Sequence, residues 1–306
     1  MPTKHKDLLT KTAEAPAMVL GRTIVAAQVA REQIVVNLPN NRIIRKAEGY
    51  WHMLGPGLTT GASDDDPSGI ATYSQTGAQF GYQFLWLAPW TLPFMAMVQE
   101  MCARIGLVTG RGLAHNIRVT FSPKVLHVCT VLLFAANTFN IGANLGAMAK
   151  AVQLLAPSFN FALLVVGFTV FSLLLQIFTP YVRYAKYLKW LALILLSYIL
   201  SAILAHPNWG DIFRNSFIPH MSFTKEHILL LCAILGTTIS PYLFFWQTSQ
   251  EVEEQILQGK TTVHLRRART DPKDIRSMRI DVWSGMTLSN IVMFFIIAAC
   301  GGGLFT

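Results

Sequence analysis

Three consecutive carboxylates, Asp64, Asp65 and Asp66, sit in a stretch that is otherwise small and apolar: Leu54-Gly-Pro-Gly-Leu-Thr-Thr-Gly-Ala-Ser-Asp-Asp-Asp-Pro-Ser-Gly-Ile-Ala-Thr72. A charged side chain at the middle of a bilayer costs ~2.5 kcal/mol or more, so a carboxylate there marks a functional site by default. Of the 16 acidic residues, only these three fall well inside an apolar block; Glu100 lies toward the end of the next one. Pro67 follows the triplet. It removes an amide donor, frees the carbonyl of Ser63 and biases Asp66 away from helical dihedrals, so a helix running through here must break. A second apolar block is interrupted in the same way at Thr237-Thr238-Ile239-Ser240-Pro241-Tyr242, where Pro241 frees the carbonyl of Thr237. Carboxylate beside freed carbonyls is a cation site in outline. The competing reading, a short helix ending in a solvated loop, is disfavoured because Ile70 to Phe80 is too short to span a membrane alone.

The elements that must position these groups follow from composition. The 306 residues are 52% hydrophobic and only 13% charged, with a mean hydropathy of +0.41, whereas about a quarter of a soluble chain is charged. Apolar residues gather in seven blocks, near 53–79, 82–105, 124–150, 160–179, 184–205, 227–249 and 281–303, each close to the roughly 20 residues that a spanning helix needs. Residues 1–50 are polar and basic, with Pro16 and Arg22 breaking the one mildly apolar stretch. They read as a cytoplasmic arm ahead of a transmembrane domain over 51–306.

Eight of the 25 Lys and Arg precede residue 53, four lie between the second and third blocks, three between the fourth and fifth, and seven between the sixth and seventh. The opposite side keeps Lys150, Arg214 and Lys225, a bias that places the N-terminus in the cytoplasm; the expected location is the plasma (inner) membrane. Tyr82, Trp86, Trp90, Trp190, Trp209 and Trp283 lie near block ends, as interfacial anchors do. The basic balance is accounted for by topology; no basic face interleaved with aromatics points to nucleic acid. Cys102, Cys129, Cys232 and Cys300 all fall in apolar segments without metal-ligand spacing and read as buried small residues.

Asp66-Pro67-Ser68-Gly69, then the run from Gly77 to Trp86, then Ala103-Arg-Ile-Gly-Leu-Val-Thr-Gly110, in that order, resemble the first two helices of the Nramp divalent-metal transporters, and Gly236-Thr-Thr-Ile-Ser-Pro-Tyr242 is similar to their sixth. The resemblance runs from about residue 51 to 306. It implies an all-α integral membrane protein with the LeuT-type inverted repeat, in which broken first and sixth helices flank a central site, as equivalent interrupted helices do in such transporters. It also implies more helices than seven, so the second repeat is expected to be incomplete and the chain truncated at its C-terminus. The helix breaks are assigned to Pro67 and Pro241.

The departures carry as much information as the matches. The family pattern Asp-Pro-Gly-Asn binds metal through its Asp and Asn; the Asp corresponds to Asp66, but Gly69 stands in the Asn position. In the sixth helix the family uses a Met sulfur and a carbonyl, and those positions hold Ser240 and Thr237, with Tyr242 where a His is expected. The expected ligands are therefore Asp66, the Thr237 carbonyl and the Ser240 hydroxyl, with Asp65 and Gly69 secondary and Tyr242 beside them. Asp65 is expected to face an aqueous vestibule or to act through water. Loss of the thioether removes the soft donor and leaves a hard oxygen set suited to Mg²⁺ or Mn²⁺. A site with smaller side chains also has room for the waters that Mg²⁺ retains. This resembles the Nramp-related magnesium transporters. The third block offers Asn137, Asn140 and Asn144 but no acid or central His, so the implied transport, by alternating access, has no obligatory proton coupling. The alternatives are a proton-coupled Mn²⁺/Fe²⁺ transporter of the same family, an amino-acid transporter of the same fold, or an inactive fragment. An enzyme is not expected: an intramembrane aspartyl protease needs two opposed aspartates, and only Asp281 is available as a partner. No resident cofactor is expected, the partners are the lipid bilayer and the transported ion, and the oligomeric state is not specified.

Overall fold

The computed structural model describes residues 50, 54–179, 187–188, 190–220, 222–268 and 270–305, so the basic arm expected over residues 1–50 falls outside the described residues except at Tyr50. The described chain is helical throughout. Its elements are α1 (Pro56–Asp64), α2 (Pro67–Phe80), α3 (Leu87–Thr109), α4 (Leu113–Thr120), α5 (Pro123–Leu155), α6 (Phe161–Phe178), a 3₁₀ turn (Ala192–Leu196) leading into α7 (Ser197–Leu204), α8 (Trp209–Phe217), α9 (Lys225–Thr238), α10 (Pro241–Leu257), α11 (Val263–Ala268) and α12 (Pro272–Gly303).

Both expected breaks are present. α1 stops at Asp64, Asp66 turns extended (φ −74°, ψ 167°) and Pro67 opens α2. α9 stops at Thr238, Ser240 is extended (φ −85°, ψ 119°) and Pro241 opens α10. A proline at the first position of a helix loses no bond, because that amide has no intrahelical partner. Each proline therefore ends one helix and starts the next.

Among the described residues, four helices or joined helices are long and apolar enough to cross a membrane: α5, α6, the 33 residues of α9 with α10, and α12. The segment Ala192–Leu204 becomes a fifth when joined to α8, from which it is bent by 120°. The first two of the seven blocks, α1–α2 and α3, fall outside this set. α1 and α2, 9 and 14 residues long, are each too short alone, and with α3 they carry polar residues, among them Thr60, Asp64, Thr76, Thr91 and Gln99, that lower their mean hydropathy and are buried inside the bundle.

α8 has no counterpart among the blocks. Asn208 Oδ1 caps it by accepting from the Gly210 amide (3.1 Å), and Asp211 in its first turn and Arg214 in its last match the helix dipole. Of the cysteines only Cys102 is buried; Cys129 and Cys300 are partly exposed and Cys232 is exposed. An outward-facing thiol on a spanning helix meets lipid rather than water, so the burial preference read from soluble proteins does not apply to it.

α12 is the spine. It packs on α1, α2, α3 and α7, and α10 packs on α3. One core cluster centres on Tyr73, Phe84, Leu85, Ile234, Met293, Ile296 and Ile297, and a second on Met95, Ala96, Ala103, Met278, Val282 and Met286. The broken helix sits against α12 with almost no side chain between them. A Cβ added to Gly285 would lie 1.9 Å from the Gly57 carbonyl oxygen, one on Gly61 2.2 Å from the Gly285 carbonyl oxygen, and one on Gly77 2.5 Å from that of Ile297. Small residues are the usual means of bringing helix backbones this close in membranes.

Candidate metal site at the two helix breaks

Asp66 occupies the N-cap of α2 and is the most heavily hydrogen-bonded side chain near either break. Its Oδ1 accepts from the Gly69 amide (2.7 Å) and lies 2.8 Å from Ser68 Oγ. Its Oδ2 accepts from Asn140 Nδ2 (2.9 Å), Asn144 Nδ2 (3.0 Å) and, more distantly, the Tyr242 hydroxyl (3.4 Å). Ser68 closes the arrangement: its hydroxyl lies 2.8 Å from Asn140 Oδ1 and its amide donates to Asn144 Oδ1 at 2.8 Å. Neutral donors and the positive end of a helix dipole favour a carboxylate at this position.

The second break comes to the same place. A Cβ on Gly69 would lie 3.0 Å from Thr237 Oγ1, 3.3 Å from the Asp64 carbonyl oxygen and 3.4 Å from Asp66 Oδ1. The space that Gly69 leaves is thus walled by oxygens from both breaks. Ser240 Oγ donates to the Thr237 carbonyl (2.8 Å) and lies 3.2 Å from that of Gly236, so the carbonyl that Pro241 freed is presently capped by the neighbouring hydroxyl. A cation recruiting both Thr237 O and Ser240 Oγ would replace this internal bond. Among the described residues no three His, Cys, Asp or Glu side chains converge, so any ion here is held by carboxylate, carbonyl, hydroxyl and water together.

The other two aspartates are set differently. Asp64 is fully buried, and its Oδ2 accepts from Ser289 Oγ (2.9 Å). Asp65 is 4% exposed, so it does not face an open vestibule. Asp281 is no partner for a catalytic dyad. Its Oδ1 accepts from the amides of Gly55 (2.7 Å) and Leu58 (3.1 Å) and its Oδ2 from that of Gly57 (2.7 Å), which caps α1 from the neighbouring helix. The aspartate triplet lies at the other end of α1, about 13 Å away for nine residues at 1.5 Å each.

The sequence reading missed the Asn140, Asn144 and Ser68 contacts to Asp66. It treated the third block's asparagines as the absence of acids, although their spacing of four residues already placed two amides on one face of a helix. It also missed the chain from Thr60 Oγ1 to Gln247 Oε1, Gln99 Nε2 to Gln247 Oε1 (3.2 Å) and Gln247 Nε2 to Glu251 Oε1 (2.8 Å), which joins α1, α3 and α10 below the site.

The family profile described as natural resistance-associated macrophage protein-like matches residues 57–306. The chain belongs to the Nramp family. Among solved structures it is similar to the manganese transporter of Eremococcus coleocola. For the complex with an aromatic bis-isothiourea substituted compound the TM-score is 0.62 at 20% identity, covering 86% of this chain and 53% of that one. Two single-residue mutants of the same transporter give a TM-score of 0.65 at 21% identity, covering 88% of this chain and 54% of theirs. The likeness is one of fold: an all-α integral membrane protein of the Nramp, LeuT-type architecture. This Nramp chain spans about half the length of the transporters it matches.

Proposed function

We propose that this Nramp chain acts in a secondary transporter or facilitator for divalent metal cations, with Asp66, the Thr237 carbonyl and the Ser240 hydroxyl as ligands, working by alternating access. The observation that supports this best is the convergence on Gly69, where oxygens from both broken helices line one small space around the Asp66 carboxylate. The ion is Mg²⁺ or Mn²⁺. No thioether or thiolate stands at the breaks, and the missing side chain of Gly69 leaves room for water that a hard ion keeps.

Movement of the ion does not require a coupled proton. The groups that meet Asp66 from α5 and α10 are the amides of Asn140 and Asn144 and the hydroxyl of Tyr242, none of which exchanges a proton readily near neutral pH. Residues 1–50 form a basic arm on the cytoplasmic side and residues 51–306 the membrane domain, in the plasma (inner) membrane with the N-terminus inside. The chain is not an enzyme, and the ion is its substrate rather than a resident cofactor.

Uptake of Mg²⁺ and Mn²⁺ into proteoliposomes with a pH-sensitive dye trapped inside tests this. Flux of either ion without change in the dye signal is expected. Lumen acidification that tracks uptake would return the protein to proton-coupled transport, and Fe²⁺ or Mn²⁺ flux without any for Mg²⁺ would remove the magnesium assignment. Stimulation by amino acids would point to the other substrate class.

A further inference from the structure

The half-helices α2 and α9 enclose a cavity of their own. It has a volume of about 590 Å³ and is lined by Thr72, Gln75 and Gln79 from α2 and by Glu226, Leu229 and Ala233 from α9. Gln75, Gln79 and Glu226 are exposed. In a membrane domain such groups belong in water, because a polar group facing hydrocarbon without a partner costs several kcal/mol. The cavity is therefore aqueous.

Its walls run down to the two breaks. Thr72 Oγ1 donates to the Ser68 carbonyl (3.0 Å), one turn nearer Asp66, and Ser68 Oγ lies 2.8 Å from Asp66 Oδ1. On α9, Ala233 precedes Thr237 by four residues and so shares its face, and Thr237 Oγ1 bounds the space at Gly69. At 1.5 Å per residue, Thr72 stands about 9 Å, Gln75 about 14 Å and Gln79 about 20 Å along α2 from Asp66. At the far end the His227 ring packs on those of Phe80 and Phe84, with centroids 4.7 and 5.4 Å apart, and its Nε2 lies 3.3 Å from Gln83 Oε1. These contacts pin the start of α9 to the end of α2 and so hold the mouth of the cavity at one width.

Glu226 makes no ion pair with a Lys, Arg or His among the described residues. Its carboxylate and the amide oxygens of Gln75 and Gln79 are acceptors for water protons. Three side chains spread along a wide cavity cannot replace the inner shell of a divalent ion, but they can accept hydrogen bonds from it. Six waters at about 30 Å³ each need ~180 Å³, well within the space available. We infer that Glu226, Gln75 and Gln79 hold a fully hydrated divalent cation in this cavity through its water shell, before it sheds water at Asp66. The inference rests on the reading of the chain as part of a divalent-cation transporter. The carboxylate raises the local cation concentration ahead of the Asp66 site and turns anions away.

The test titrates the 306-residue chain in detergent with hexaamminecobalt(III), followed by calorimetry. The ammine ligands of this ion do not exchange, so it binds only through an intact shell. The buffer is about 0.1 M choline chloride, where screening over ~10 Å keeps the distant Asp66 charge from dominating the reading. Wild-type protein is expected to bind the complex saturably. Glu226→Gln should weaken binding about tenfold or more, as should Gln79→Lys, which puts a cation in the cavity. Both positions are exposed, so neither change disturbs the core. Asp66→Asn, and Glu253→Gln at an exposed acid on α10, should retain binding. A parallel Mn²⁺ titration reads the Asp66 site. Absence of saturable hexaamminecobalt(III) binding, unchanged affinity in Glu226→Gln and Gln79→Lys, or loss of binding in Asp66→Asn would each overturn the inference. Glu226-dependent binding of the complex without any Mn²⁺ binding would support the cavity site and count against the Asp66 assignment alone.

Discussion

Asp281 makes the trans-helix cap of α1 directly testable. Three amides at the start of that helix, those of Gly55, Gly57 and Leu58, end on its two carboxylate oxygens at 2.7–3.1 Å, and the side chain is 2% exposed. Asp281→Ala removes both acceptor oxygens, and with them all three hydrogen bonds at once. Hydrogen bonds to a charged group are worth about 1.5–3 kcal/mol each, and the dipole interaction adds up to about 2 kcal/mol in a partly buried geometry. Terms sharing one carboxylate do not add in full, so the expected loss is about 3–5 kcal/mol, the range for removing one partner of a buried charged set. Asp281→Asn keeps one acceptor oxygen and should cost roughly half as much. The assay is equilibrium unfolding in mixed detergent micelles, followed by tryptophan fluorescence, with Val282→Ala as a neighbouring packing control. Alanine and asparagine variants within about 0.5 kcal/mol of wild type, the usual scatter for uninvolved sites, would refute the reasoning.

Other outcomes follow from the same geometry. Asp66→Asn should abolish Mn²⁺ binding measured by calorimetry more completely than Asp64→Asn, and equal affinities for the two variants would contradict the assignment of Asp66 as principal ligand. Ser240→Met combined with Gly69→Asn should shift preference toward Mn²⁺ over Mg²⁺ in a competition titration, because it adds a soft sulfur and fills space bounded at 3.0–3.4 Å by Thr237, Asp64 and Asp66. Gly285→Leu should prevent recovery of a monodisperse protein in size-exclusion chromatography, since even its Cβ would collide with the Gly57 backbone. Cysteines at positions 208 and 259 should label from opposite sides of the membrane, 208 from outside; outside accessibility of 259 would invert the topology.

The breaks were legible because proline acts locally: what Pro67 and Pro241 do to the preceding turn depends on covalent geometry alone. The spans of α5, α6, α9–α10 and α12 were legible because lipid demands long apolar runs. The partners of the acidic residues were not. Asp281 reads as a charge near the start of an apolar block, and only the packing of α12 on α1 turns it into a cap. Asn140 and Asn144 read as missing acids until the fold sets α5 against the first break. α8 escaped notice because it is short and amphipathic, with polar Asp211, Arg214 and Asn215 interrupting its apolar positions.

The bare contact between the broken helix and α12 has a mechanical meaning. Side chains that interdigitate give two helices a ladder of preferred offsets, and sliding from one to the next requires each rung to be unlocked. At Gly57, Gly61, Gly77 and Gly285 there are no rungs, because backbone lies on backbone. Such a seam does not by itself fix how far along α12 the helix α1 sits. That offset is set from the two ends of α1, by Asp281 gripping its first turn and Ser289 holding Asp64 at its last. The position of the aspartate triplet along α12 is therefore governed by two small polar anchors rather than by the bulk of the core.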